Sequence, residues 1–206
     1  MSLHLTEHNA IFFHIPRLGG RWVGCAITLA GVTPVITNHT GGNKNSYHEV
    51  GTQEDLTGKF LFTFVRHPVA WYRSYWSCRQ EKGWRVDWID KLRADTFEGF
   101  LENILESKQA WASDMFKYYI GNPKVMSYVG LNEDMANDLI KILNILKVDF
   151  DEKKILTIPP VNASYLEPTC SKEVIDKIIE LEDDVITRYY KGTKFENYIY
   201  EFVKEK

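Results

Sequence analysis

Two stretches of this chain put basic side chains where a strand-like run gives way to a helix-like one. Residues 11–23 read IFFHIPRLGGRWV, and residues 60–76 read FLFTFVRHPVAWYRSYW. In the first, Arg17 and Arg21 flank Gly19 and Gly20. Glycines at a helix start let backbone N–H groups approach a ligand closely, and the helix dipole favours an anion there. Guanidinium forks add fixed charge and donors matched to oxyanions. In the second, Arg66 ends the apolar run and Ser74 follows eight residues later. A guanidinium and a hydroxyl brought together by a helix folding back on its strand make a clamp for a terminal phosphate. Together the two junctions are suited to gripping a phosphorylated anion. Taken alone, PRLGGRW reads equally as a tight strand-to-helix turn with exposed arginines.

Other chemistry is less marked. GxxxxGK[ST], HExxH and DxDxDG are all absent, so neither a Walker loop nor a metal-ligand motif is present. His48 in SYHEV, His39 in TNHTGG and Glu49 are loop groups able to take a proton. His14 lies inside an apolar strand and reads as a packing residue. His67 reads as loop structure, its charged form disfavoured by the neighbouring Arg66. Trp71, Tyr72, Tyr75 and Trp76 read as packing, given the area that aromatics bury. Arg73 and Arg79 read as a solvated face. Trp111, Met115, Phe116, Tyr118 and Tyr119 have helical spacing and read as core rather than as the floor of a pocket. The aromatics near 71–76 and 111–119 would equally serve a dimer face if exposed.

The elements that must position these groups alternate early. Residues 11–15 read as a buried strand, 21–30 as a helix stopped by Gly31, and 32–37 as a strand that Pro34 pushes to an edge. KFLFTFV at 59–65 is a continuous apolar run, which suits a parallel strand covered on both faces. Pro68 sits at a helix N1 position, giving a helix over 68–80. Further helices are expected at 96–107, 111–120, 132–147, 171–190 and 194–204, with a strand at 124–130 and an irregular, proline-bearing segment at 155–170. This order implies a three-layer α/β/α fold with a short central parallel sheet and a helix-rich C-terminal half. Ligands in such sheets bind beyond the carboxyl ends of the strands, where both basic stretches lie.

The chain has 206 residues, which fits a single domain spanning 1–206, with 44% hydrophobic and 26% charged residues. A formal net charge of −3 gives no global sign of a nucleic-acid partner, so an anion site must be a local concentration of basic groups. The three cysteines, Cys25, Cys78 and Cys170, are widely spaced and odd in number, which fits a reducing compartment. MSLHLTEHN lacks the layout of a signal peptide, and no apolar run approaches the ~20 residues of a membrane span, so a cytoplasmic protein is expected.

The two junctions together resemble the sulfotransferases that use 3′-phosphoadenosine 5′-phosphosulfate (PAPS). Pro16, Arg17, Leu18, Gly19, Gly20, Arg21 and Trp22 stand where that family carries PKTGGTS or PKSGTTW. FVRHP, with Arg66 and with Ser74 at the same spacing, is similar to the family's FVRNP or FVRHP. VGLNEDMANDLIKIL and PPVNAS resemble two later segments, so the likeness runs over roughly residues 11–190, closest to the small bacterial or phage group. The resemblance implies a P-loop-NTPase-like (sulfotransferase) fold and PAPS as donor, with no metal. It implies that Arg17, Leu18, Gly19, Gly20, Arg21 and Trp22 hold the 5′-phosphosulfate, and that Arg66 and Ser74 share the 3′-phosphate. It makes His48 the general base and Arg17 the second catalytic group, with His39 and then Glu49 as alternatives to His48. Asn162 and Ser164 fall at a nucleotide- or acceptor-contacting segment, or cap a turn with their side chains. The acceptor is an unidentified hydroxyl or amine compound, with a carbohydrate or other small hydroxyl compound first in order.

The departures carry weight. The family's loop lysine is Arg17 here, its neighbouring hydroxyl residue is Leu18, and the hydroxyl residue after the glycines is Arg21. Arginine keeps the charge but is bulkier, forked and a poor proton donor. These replacements leave open a catalytically impaired nucleotide-binding protein on the same fold. An unrelated nucleotide kinase or hydrolase would require Mg²⁺ and usually a Walker lysine.

Overall fold

The computed structural model describes residues 2–37, 56–85, 88–120, 123–161, 164 and 166–203. The chain divides into two compact units, Met1–Val65 with Phe116–Asn162 and Arg66–Met115 with Ala163–Lys206. Among the described residues it is an α/β protein with five strands and eight helices, and its C-terminal half is mainly helical.

The first unit holds the sheet. Its strands are β1 (Ser2–Leu5), β2 (Ala10–Phe13), β3 (Val35–Thr37), β4 (Phe60–Val65) and β5 (Tyr128–Leu131), in the order β3-β1-β2-β4-β5. β2, β4 and β5 are parallel, with Phe12 opposite Phe62 and Phe62 opposite Tyr128. β1 pairs antiparallel with both β2 and β3, so the sheet is mixed rather than purely parallel. β4 is the continuous apolar run of the sequence, and five of its six residues are buried between two parallel neighbours. Its one polar residue, Thr63, is fully buried and donates its hydroxyl to the Phe13 carbonyl at 2.7 Å, which removes the cost of burying it. β3 lies at the sheet edge, as its proline-bearing approach predicts.

Three helices of this unit cover one face of the sheet: α1 (Gly20–Leu29), α5 (Met135–Ile145) and the five-residue α6 (Glu152–Leu156). Trp22, Val23, Ala26 and Ile27 of α1 join Leu139, Ile142 and Leu143 of α5 in one core with Leu3, Leu5, Phe12, Phe62 and Phe64. Ile11, Phe13 and Leu61 alternate to a second, smaller cluster, as period-two side chains must. The helix expected at 132–147 begins with a 3₁₀ turn at Asn132–Asp134 before α5.

The second unit is built on α2 (Pro68–Lys82), α3 (Phe97–Ser107), the first half of α4 (Trp111–Ile120), α7 (Lys172–Leu181) and α8 (Asp183–Val185). Trp71 and Tyr72 of α2 are completely buried, and Tyr75 and Trp76 nearly so, which confirms them as packing. Trp111 and Met115 are also buried. In the first unit Phe116 is buried but Tyr118 is exposed. The helix expected over 171–190 is interrupted at Glu182 and ends in a wider π-helical turn at Ile186–Tyr190. Glu182 is the reason for the break. It is fully buried and accepts hydrogen bonds from the Tyr72 hydroxyl, the Ser113 hydroxyl (2.6 Å) and the backbone N–H groups of Ala112 (3.1 Å) and Ser113 (2.8 Å). A carboxylate from a distant helix thus caps the first turn of α4. Burial pushes the Glu182 carboxyl above its ordinary range, against the downward pull of those four donors.

Candidate functional site

The first junction follows β2. Between Phe13 and α1 the chain reverses in a few residues, with Arg17 at φ 67° and Gly19 at φ 73°, both left-handed. Glycine takes that conformation freely, whereas at Arg17 it costs about 1 kcal/mol. Gly19 is the N-cap of α1. No side chain caps the helix, and its first turn contains no acidic residue. The helix's own first turn therefore supplies no carboxylate to its positive end. Arg17 is half-buried and Arg21 exposed. Leu18 and Trp22 turn inward, and Trp22 Nε1 donates to the Ile158 carbonyl at 3.3 Å.

Packing accounts for both glycines. A β-carbon on Gly20 would lie 2.0 Å from the His14 ring, and one on Gly19 would lie 2.5 Å from the Met135 methyl. The same Gly19 position is 3.4 Å from the Asn132 side-chain nitrogen. The loop after β2 therefore lies against the turn after β5. Asp138 fixes that turn: it accepts from the Leu131 N–H at 2.8 Å, the Tyr128 hydroxyl at 2.9 Å and the Lys141 ammonium at 2.8 Å. Asn132 and Asp138 were not singled out from the sequence. The signal for Asn132 is positional, since it directly follows a parallel strand as the basic groups do. His14 is held neutral, pushed down to about 4 by burial first and by the Arg21 charge in addition. That agrees with a packing role.

The second junction follows β4. His67 is the N-cap of α2 and Pro68 its first helical residue. Arg66 and Ser74 are both half-buried in the second unit. Three readings of the sequence change here. His67 does lie in the connection between β4 and α2, but it is no solvated group: it is completely buried, with the Tyr190 ring 5.1 Å and the Tyr198 ring 5.8 Å from its own, both edge-on. Burial, rather than the neighbouring Arg66, pushes it down to about 3. Arg73 is no solvated residue either. Its guanidinium carbon lies 4.2 Å from the Phe202 ring centroid, and its Nε donates to the Pro168 carbonyl at 3.2 Å. Burial draws its pKa below the ordinary value, Glu167 opposes that, and the Arg66 charge adds to it. Arg79 is likewise engaged, 3.1 Å from the buried Asp90 carboxylate and 5.1 Å from the Tyr75 ring centroid.

The remaining sequence candidates divide simply. His48, His39, Glu49 and Asn162 lie outside the described residues. Ser164 donates to Glu81 of α2 at 2.5 Å and accepts from the Leu166 N–H at 3.1 Å, so it acts as a turn cap. Among the described residues no helix is long and apolar enough to cross a membrane, and no group of three or more His, Cys, Asp or Glu is placed to hold a metal. Comparison of the chain with family models, with curated proteins and with solved structures finds no match in any of the three.

Proposed function

We propose that this chain is a PAPS-dependent sulfotransferase of P-loop-NTPase-like, three-layer α/β/α architecture. The observation that carries the reading is the β2–loop–α1 junction. There a helix without a side-chain cap or a first-turn acid starts between two arginines, beyond the carboxyl end of a parallel strand. A 5′-phosphosulfate is an anion of the kind such a helix start accepts. Arg66, at the end of the neighbouring parallel strand β4, and Ser74 on α2 would take the 3′-phosphate.

The chemistry asked of these groups is an in-line displacement. The acceptor oxygen or nitrogen forms a bond to sulfur as the sulfur–oxygen bond to the 5′-phosphate breaks. The acceptor proton passes to a base, for which His48 is the candidate. Arg17 and the first-turn N–H groups of α1 stabilise the charge that develops on the departing phosphate. Arg17 donates a proton poorly, so that departing oxygen leaves as an anion held by charge alone.

Arg17 favours a second reading, a nucleotide-binding protein without turnover, because it is a poor proton donor standing where the resembling family carries a lysine. Calorimetry with 3′,5′-adenosine bisphosphate tests both. Binding is expected, and Arg66→Ala should weaken it at least about tenfold. Unchanged affinity in that variant refutes the assignment of Arg66. Incubation with the donor and a panel of hydroxyl and amine acceptors then separates the readings, since a binding protein holds the nucleotide without consuming the donor.

A further inference from the structure

Arg73 offers more than a structural contact. Phe202 fixes its guanidinium plane from one side and the Pro168 carbonyl fixes its Nε. Five N–H donors sit on that group, and only the one on Nε is used in a hydrogen bond among the described residues. The stem is half-buried, so the fork is oriented before any ligand arrives and little rotamer freedom remains to be lost. Arg73 immediately precedes Ser74 on α2, and the charge of Arg66 acts on it. The Arg66 charge disfavours the Arg73 cation, and the exposed Glu167 carboxylate outweighs that repulsion. A phosphate dianion would compete with Glu167 for the oriented Arg73 fork.

We propose that Arg73 is a phosphate-binding residue beside Arg66 and Ser74, and that it sets the preference for a nucleotide bearing a terminal 3′-phosphate. The nucleotide half of this rests on the function proposed above, whereas the anion half stands on the geometry of Arg73 itself. Phe202 and Pro168 are its positioning groups, and Glu167 is its competitor for the anion.

The experiment is calorimetric titration of the full chain with 3′,5′-adenosine bisphosphate, adenosine 5′-monophosphate and inorganic pyrophosphate. Arg73→Met keeps the stem against Phe202 and removes the fork. It should weaken the bisphosphate about tenfold or more and leave the 5′-monophosphate unchanged. Glu167→Gln should tighten the bisphosphate by about two- to threefold, because a competing carboxylate is gone. Equal losses for both nucleotides would mean that Arg73 only holds the fold, and no loss would remove it from the site. If the wild type ignores the bisphosphate but binds pyrophosphate in an Arg73-dependent manner, the nucleotide reading falls and the anion site stands. If no anion binds, both fall. Should Arg73→Met fail to fold, Arg73→Lys keeps charge and stem but not the fork. It is expected to show the same selective loss, smaller in size because the charge remains.

Discussion

His14 and His67 show how far a residue's neighbours override its type. Each is a histidine in a chain with ordinary surface charge, yet one is held near 4 and the other near 3 by burial. In the unfolded chain both titrate near 6.5. Below that value the unfolded state binds protons that the native state refuses. The stability is therefore complete above pH 6.5 and declines as the pH falls toward 4 and then 3. Between pH 7 and pH 5 each histidine should cost the fold about 2 kcal/mol. His67→Phe keeps a ring between Tyr190 and Tyr198 and abolishes its share. Thermal unfolding at the two pH values should show roughly half the pH sensitivity in that variant. An unaltered sensitivity would place the responsible proton elsewhere. Arg73 teaches the same lesson in reverse. A charged residue on a helix reads as solvated, and nothing local to residue 73 reveals Phe202 lying over it.

At the scale of elements, the sequence was clearest where a long apolar run met a conformational stop. β4 ends within a residue of Arg66, and α2 begins at Pro68, because the run FLFTFV and the proline each speak for themselves. α3 and α4 were equally legible from their apolar periodicity. The elements that escaped notice were short or depended on partners. β1 is four residues with no run of its own, made into a strand by neighbours on both sides. α6 is a single five-residue turn of helix that runs two residues into the segment read as irregular from 155 onward, and it buries Ile155. The interruption between α7 and α8 was invisible because its cause, the capping of α4 by Glu182, joins positions 69 and 70 residues apart. Glu182→Ala tests that cause. It strands the Tyr72 and Ser113 hydroxyls and two backbone N–H groups, at a cost of about 3 kcal/mol or more. Hydrogen exchange at Ala112 and Ser113 should accelerate well beyond that in α3. Uniform acceleration across the unit would show that Glu182 is merely packed there.

For the molecule as a whole, composition and element order were enough for an α/β protein with a helical C-terminal half. They did not disclose the antiparallel half of the sheet, because pairing direction depends on which strands find each other rather than on any one strand's residues. That half has a consequence in time. Strands β1, β2 and β3 all come from the first 37 residues, whereas the parallel half closes only when residues 60–65 and 128–131 arrive. Closing the short loops costs far less chain entropy than closing the long ones. The antiparallel corner is thus the natural nucleus of refolding, and β5 with α5 is its late addition. Leu5→Ala should slow the refolding limb in stopped-flow experiments, whereas Leu139→Ala should chiefly hasten unfolding. The reverse pattern would put the nucleus in α5. On a ribosome the same order means that a three-stranded corner can assemble before the strand that completes the parallel half, β5, has been synthesised.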